Sequence, residues 1–239
     1  MIQTVKRYIS DILNRNRSNK EIFSKIYDNH QWGGEGEENF YSGEGTYIKD
    51  VQIYIDTVSD FIKENNIKTV CEIGCGDFNV TGELLKKVEV EYKGLDVVPS
   101  LVVHLNKNYQ SKNIHFLCVD ASSYQAEIPQ VDLCIIRQVL QHLSNESILK
   151  ILDNTKHIPN LLITEHLPVN PGEINGDKVT NGYIRLQNKI PSGVYLDQAP
   201  FSTKIKKELL NLRLDDKNHS GELIDAQLVT SWVVNEVIL

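Results

Sequence analysis

The sequence predicts an α/β protein, a doubly wound, mostly parallel sheet of seven strands with an antiparallel edge strand, preceded by N-terminal helices. Three observations carry this. From residue 68 onward, short apolar runs of strand length alternate with stretches of helix length. The runs are apolar at consecutive positions, as expected of strands covered on both faces. The chain has 239 residues, 41% hydrophobic and 24% charged, which is enough to bury a sizeable core.

Residues 1–30 read as helical, with Ser18 and Glu21 in a capping-box pattern and an apolar face at Ile22, Ile26 and Tyr27. Residues 32–47 hold five glycines and read as a loop. Ile48, Val51, Ile55, Val58 and Ile62 recur at three or four residues, which predicts an amphipathic helix to about Asn65. Strands follow at 68–73, 91–98, 113–119, 131–137 and 160–166. Helices are expected near 80–88 and 99–108, and another capped by Ser144. Residues 167–202 carry four prolines and break the rhythm. They are expected to cover the carboxyl ends of the strands, where open α/β sheets bind ligands. A helix is expected near 203–212, then at least one strand, antiparallel at the sheet edge. The expected division is 1–66, helices and a glycine-rich lid, and 67–239, the core with its insertion.

The stretch CEIGCGDFNV, 71–80, places Gly74 and Gly76 just after the first strand. It lacks the third glycine of a dinucleotide fingerprint and the Lys-Ser or Lys-Thr of a phosphate loop. Acids flank it, Glu72 and Asp77, and no base does. Asp96 ends the second strand, where a carboxylate accepts from ribose hydroxyls. Asp120 ends the third, where one accepts from an adenine amino group. The ligand that fits is an adenine nucleoside with a cationic part and no phosphate, as in S-adenosylmethionine.

VCEIGCGDFNV, YKGLDVV, FLCVDASSY and VDLCIIRQVLQHLS, taken in order, resemble the successive motifs of class I S-adenosylmethionine-dependent methyltransferases, over about 67–166. The resemblance implies a Rossmann-like core. It implies cofactor contacts at Glu72, Gly74, Cys75, Gly76, Asp77, Asp96, Val97, Asp120, Ala121, Arg137 and Gln138. Relatives read Arg-Asp where this chain has Arg137-Gln138. FSKIYDNHQWGG, SGEGT and NGYIRL further resemble a bacterial subgroup that tailors small molecules and surface polysaccharides of the capsule type.

Methyl transfer needs an aligned nucleophile and, for a hydroxyl acceptor, a base. His142, just after the fourth strand, and Glu165 and His166, ending the fifth, are the catalytic candidates. Adjacent strand residues face opposite ways, so one of the latter pair is expected to enter the site. Trp32, Tyr41 and Thr46 of the glycine-rich loop, and Arg185 of the insertion, are candidate acceptor contacts, with Ser42 beside them in the lid. The expected acceptor is a small polar molecule methylated on a hydroxyl oxygen of a sugar, nucleotide sugar or phosphorus-containing metabolite. An RNA or other macromolecular acceptor, and a catalytically inactive cofactor-binding partner protein, stay open as alternatives. The net charge of −7 argues against a nucleic-acid surface. No span for a membrane is expected, and the absence of a leader pattern fits the cytoplasm. Cys71, Cys75, Cys118 and Cys134 are expected to be buried, reduced thiols, and no metal is expected. A homodimer is left open.

Overall fold

In the computed structural model, which describes residues 14–34, 40–43, 45, 51–217 and 221–235, seven strands form one sheet. They are β1 (Thr69–Ile73), β2 (Glu91–Asp96), β3 (Ile114–Cys118), β4 (Leu133–Arg137), β5 (Asn160–Pro168), β6 (Ile205–Lys217) and β7 (Leu223–Val234). Their order is β3-β2-β1-β4-β5-β7-β6. The first five are parallel; β7 pairs antiparallel with both β5 and β6, so it alone runs against the rest. The order reverses between β1 and β4, so a crevice opens beyond their carboxyl ends.

The central strands are buried along their length, all five residues of β4 included. That explains their unbroken apolar runs. At the β3 edge the pattern relaxes and Cys118 is exposed, contrary to its expected burial. Cys71, Cys75 and Cys134 are buried and free.

The helices are α1 (Asn19–Asp28), α2 (Val51–Glu64), α3 (Asn79–Leu85), α4 (Pro99–Tyr109) and α5 (Asn145–Asn154). Ser18 caps α1 as its sequence predicts: its hydroxyl accepts from Glu21 N, and Glu21 Oε2 accepts from Ser18 N at 2.8 Å. Ile22, Phe23, Ile26 and Tyr27 bury the inner face of α1. Each such side chain is worth about 1.5–3 kcal/mol, so burial, more than the cap, holds α1 against the core. Ser144 caps α5 by accepting from Ser147 N. Pro99 sits at the start of α4, where its missing N–H has no partner to lose.

Two expectations are corrected. The stretch read as a helix near 203–212 is strand β6. Its pairing with β7 shifts register between Ile205 and Lys207 and again between Glu208 and Leu210. The extra residues, Lys206 and Leu209, break the alternation and leave leucines at helix-like spacing. The tail strand β7 is antiparallel but lies between β5 and β6, so β6 is the edge.

Beyond the end of β5 at Pro168, residues 169–202 contain a short 3-10 turn, Arg185–Gln187, and an isolated bridge between Glu173 and Ser192. They fold back over the carboxyl end of β4. Gly182 N donates to His142 O at 2.8 Å, and Asn181 Nδ2 donates to Asn19 Oδ1 at 2.6 Å. Among the described residues no helix is long and apolar enough to cross a membrane.

Candidate active site

The glycine loop follows β1. Gly74 (φ 70°) and Gly76 (φ 54°) are left-handed. A Cβ on Gly74 would lie 2.5 Å from Val139 Cγ2, and one on Gly76 2.5 Å from Ser42 Oγ. Only glycine meets both demands. Phe78 is also left-handed (φ 63°), a strained state for a bulky residue. Its ring is buried against Tyr92, Tyr109 and Phe116, with centroids 5.6, 5.3 and 5.0 Å away, and this packing offsets the strain. The loop amides are all engaged within the protein. Gly74 N and Cys75 N donate to Leu95 O, at 2.7 and 3.1 Å. Gly76 N donates to Asp96 Oδ2 at 3.2 Å, and Asp77 N to Ser42 Oγ at 2.7 Å. This loop is not a nest of free N–H groups aimed at a phosphate.

Four carboxyls surround it. Asp96 is buried and accepts one N–H per oxygen, from Gly76 and from Val98, which leaves each oxygen a lone pair. Burial pushes its pKa up to about 6. Glu72 is buried, accepts from Tyr92 Oη at 2.6 Å, and is pushed up to about 7 by the same cause. Asp77, also raised by burial, accepts from Ser42 N and Asn79 N. Asp120 accepts from Ser122 N and Oγ and, at 3.3 Å on each oxygen, from Asn19 Nδ2.

One cavity, enclosing about 1000 Å³ with its open mouth, joins these groups. Glu72, Gly74, Cys75, Gly76, Asp77, Asp96, Val97, Asp120, Ala121, Arg137 and Gln138 all lie on its wall, so four separated sequence motifs converge there. Trp32 and His142 line it too. Arg137 turns to the N-terminal segment: its Nη2 donates to Gly45 O at 2.8 Å, and its guanidinium lies 5.0 Å from the Tyr54 ring centroid. Ser42 bonds Asp77 in both directions, and Tyr27 Oη lies 2.9 Å from Ser42 Oγ. Helix α1 lies across the mouth, with Asn19 at Asp120 and Tyr27 near Gly76.

His142 sits in the 3-10 turn Leu140–His142 after β4. Its Nδ1 lies 2.6 Å from Gly182 O, which fixes the proton on Nδ1 and leaves the Nε2 lone pair open. Burial lowers its pKa to about 4, so the ring is neutral at pH 7. The Trp32 and Phe23 rings flank it at 5.1 and 6.4 Å.

The other candidates are placed elsewhere. Glu165 does not reach the cavity. Its two oxygens accept from Leu140 N and Gln141 N, each at 2.9 Å, beneath the turn that carries His142. Burial pushes this carboxyl up to about 8, against the pull of those two N–H groups. His166 faces the edge strand instead, with Nδ1 3.1 Å from Asp216 Oδ2. Arg185 is fully buried and donates to Gly176 O, Leu143 O and Asn145 Oδ1. It bolts the insertion to the turn after β4 and is not presented to an acceptor. Tyr41 packs over Gly33 and is not on the wall. Thr46 lies outside the described residues.

Sequence reasoning missed Asn19, Phe23 and Tyr27. The capping box located their helix, but nothing local shows which ligand face a short amphipathic helix closes. Among the described residues no group of three or more His, Cys, Asp or Glu side chains could hold a metal ion.

The family described as a methyltransferase domain matches residues 70–158, the stretch from β1 to the end of α5. No curated protein matches the sequence. Among solved structures, TehB from Haemophilus influenzae is 16% identical with a TM-score of 0.51, over 76% of this chain and 62% of that one. The N-methyltransferase NodS from Bradyrhizobium japonicum WM9, solved with S-adenosyl-L-homocysteine, is 13% identical with a TM-score of 0.52, over 76% of this chain and 86% of that one. Magnesium protoporphyrin IX methyltransferase from Synechocystis PCC 6803, solved with bound S-adenosylmethionine, is 12% identical with a TM-score of 0.51, over 91% and 99%. Likeness at such identities is one of fold. The chain therefore has the Rossmann-like methyltransferase fold, with the matched methyltransferase domain at residues 70–158.

Proposed function

We propose that the protein is an S-adenosylmethionine-dependent methyltransferase that acts on a hydroxyl oxygen of a small molecule. One observation carries the reading: every residue assigned to the cofactor from four separate motifs lines a single cavity at the strand switch point. The residues present fit this cofactor better than a dinucleotide. The loop amides are spent within the protein, which disfavours a pyrophosphate, while Glu72 and Asp77 suit a cationic amino-acid end.

In this reading Asp96 holds the ribose, Asp120 and Ala121 face the adenine, and the glycine loop borders the methionine end. The bound cofactor supplies an electrophilic methyl group. His142 Nε2 takes the proton that leaves the acceptor hydroxyl, while Gly182 O keeps Nδ1 protonated and the ring aligned. Glu165 and Arg185 are positioning residues, since each fixes backbone of the segment that carries His142. Among the described residues ahead of β1, α1 and Ser42 serve as the cover, and the sheet with its flanking helices is the core. The likeness to NodS and to the magnesium protoporphyrin IX enzyme supports methyl transfer without naming the acceptor.

Calorimetric titration with S-adenosyl-L-homocysteine, with NAD as control, tests this. Micromolar binding of the first and none of the second is the expected outcome. Binding of NAD alone, or of neither, would sink the reading.

A further inference from the structure

Once the residues assigned to the cofactor are set aside, the rest of the cavity wall divides cleanly by charge. Its five ionisable carboxylate and guanidinium groups, Glu72, Asp77, Asp96, Asp120 and Arg137, all fall in the cofactor set. What remains on the wall is apolar, amide or hydroxyl-bearing, together with His142, which is neutral at pH 7. Arg185, which could have gripped a phosphate or carboxylate from the insertion, is fully buried on two carbonyls and Asn145. Arg137 is turned onto Gly45 O and the Tyr54 ring. Lys178 is close enough to help lower the His142 pKa, but it lies off the cavity wall and its ammonium donates to Tyr183 O. An anionic group beside His142 would therefore meet no cation on the wall outside the cofactor set, and burying an unpaired charge is costly.

The same part of the wall is rich in rings. Trp32 is 6.0 Å from Phe23, 5.3 Å from Tyr27 and 5.1 Å from His142, centroid to centroid. Phe23 also packs edge-on to His142 at 6.4 Å. These four side chains form a continuous aromatic wall that ends on the one neutral base of the site. Aromatic walls take up flat or C–H-faced rings without needing charge.

We propose that Phe23, Tyr27, Trp32 and His142 form the acceptor subsite, and that the reacting part of the acceptor is an uncharged, hydroxyl-bearing ring, a phenol-like or pyranose-like group, with any anionic portion left outside the cavity. This rests on the methyltransferase reading and narrows it. The weak basicity of a buried His142 favours the more acidic hydroxyl of a phenol over that of a sugar.

The test uses the full chain saturated with S-adenosyl-L-homocysteine, so that the adenine pocket is filled. Ligand-observed NMR would compare phenol and methyl pyranoside probes with phenyl phosphate and a pyranoside phosphate. The neutral probes should bind, and their phosphate esters should bind at least about tenfold more weakly. Trp32→Ala should weaken the neutral probes about five- to tenfold, and Trp32→Phe should keep most of their binding. Calorimetry on the same variants should give unchanged S-adenosyl-L-homocysteine affinity. Preference for the phosphates, or binding of neither class to the loaded protein, overturns the proposal. So does a Trp32→Ala variant that loses S-adenosyl-L-homocysteine and neutral probes to the same extent, which would make the rings a cofactor cover. Failure of wild-type protein to bind S-adenosyl-L-homocysteine refutes the methyltransferase reading itself. The phenol and pyranoside arms separate the two ring types.

Discussion

His142 owes its character to one carbonyl. Gly182 O fixes the proton on Nδ1, and Gly182 N returns a bond to His142 O, so ring and backbone are held by the same residue. Burial holds the ring neutral down to about pH 4. The sign follows directly. A histidine whose pKa falls from 6.5 on folding contributes stability that is complete above 6.5 and is lost as pH drops toward 4. With the cofactor saturating, the acidic limb of kcat/KM for the acceptor that is due to His142 should accordingly turn near pH 4 rather than near 6.5. His142→Ala should lower kcat about 10²-fold or more with S-adenosyl-L-homocysteine affinity unchanged. A variant of wild-type rate would leave His142 as a packing residue. Asp96 and Asp120 were legible in sequence because a carboxylate that closes an apolar run must stand at a strand end. Arg185 was not. An arginine's residue type is the same whether it grips a ligand or two backbone carbonyls, and only the tertiary partners Leu143 and Gly176 decide.

The 3-10 turn after β4 is too short to hold itself. Its backbone donors at Leu140 and Gln141 are paid by Glu165 from the neighbouring strand β5. Glu165→Gln replaces one acceptor oxygen with an amide that confronts an N–H. Denaturant titration should show a loss of about 1–3 kcal/mol, the scale of a buried unsatisfied group. Turnover should fall while S-adenosyl-L-homocysteine affinity holds. A variant as stable and as active as wild type would free Glu165 of any part in shaping the turn. Alternation along β5 correctly implied that Glu165 and His166 face opposite ways, but sequence could not show that neither side opens on the cavity. Strand β6 was hidden for a different reason. Its two bulges at Lys206 and Leu209 replace a period of two by a spacing that imitates a helix turn. The parallel strands are free of register shifts, and all but the edge strand β3 are largely buried, so they were legible to within a few residues.

Across the molecule, the cover is stitched to the core from three directions. Asn19 donates to Ser122 and Asp120, Asn181 donates to Asn19, and Ser42 exchanges bonds with Asp77. A nucleoside reaching Asp120 must compete with Asn19 for the same oxygens. Asn19→Ala should therefore speed both association and release of S-adenosyl-L-homocysteine in stopped-flow measurements, with a smaller change in affinity. Unchanged rates would mean that α1 does not gate the cavity. The sheet and its switch point were readable because periodicity is a local signal. The cover was not, because its bonds join residues from 35 to 162 positions apart, such as Ser42 with Asp77 and Asn19 with Asn181.

The occupied amides of the glycine loop have a consequence for competition. Adenosine is a shared handle: nucleotides and dinucleotides all carry it, and Asp96 and Asp120 alone would grasp any of them. With Gly74, Cys75, Gly76 and Asp77 already donating inward, a phosphate chain arriving at that end would find the Glu72 and Asp77 carboxylates and no loop amide left to donate. On the proposed reading, discrimination would come from what the loop withholds, and phosphorylated adenosines would be turned away without a dedicated residue to repel them.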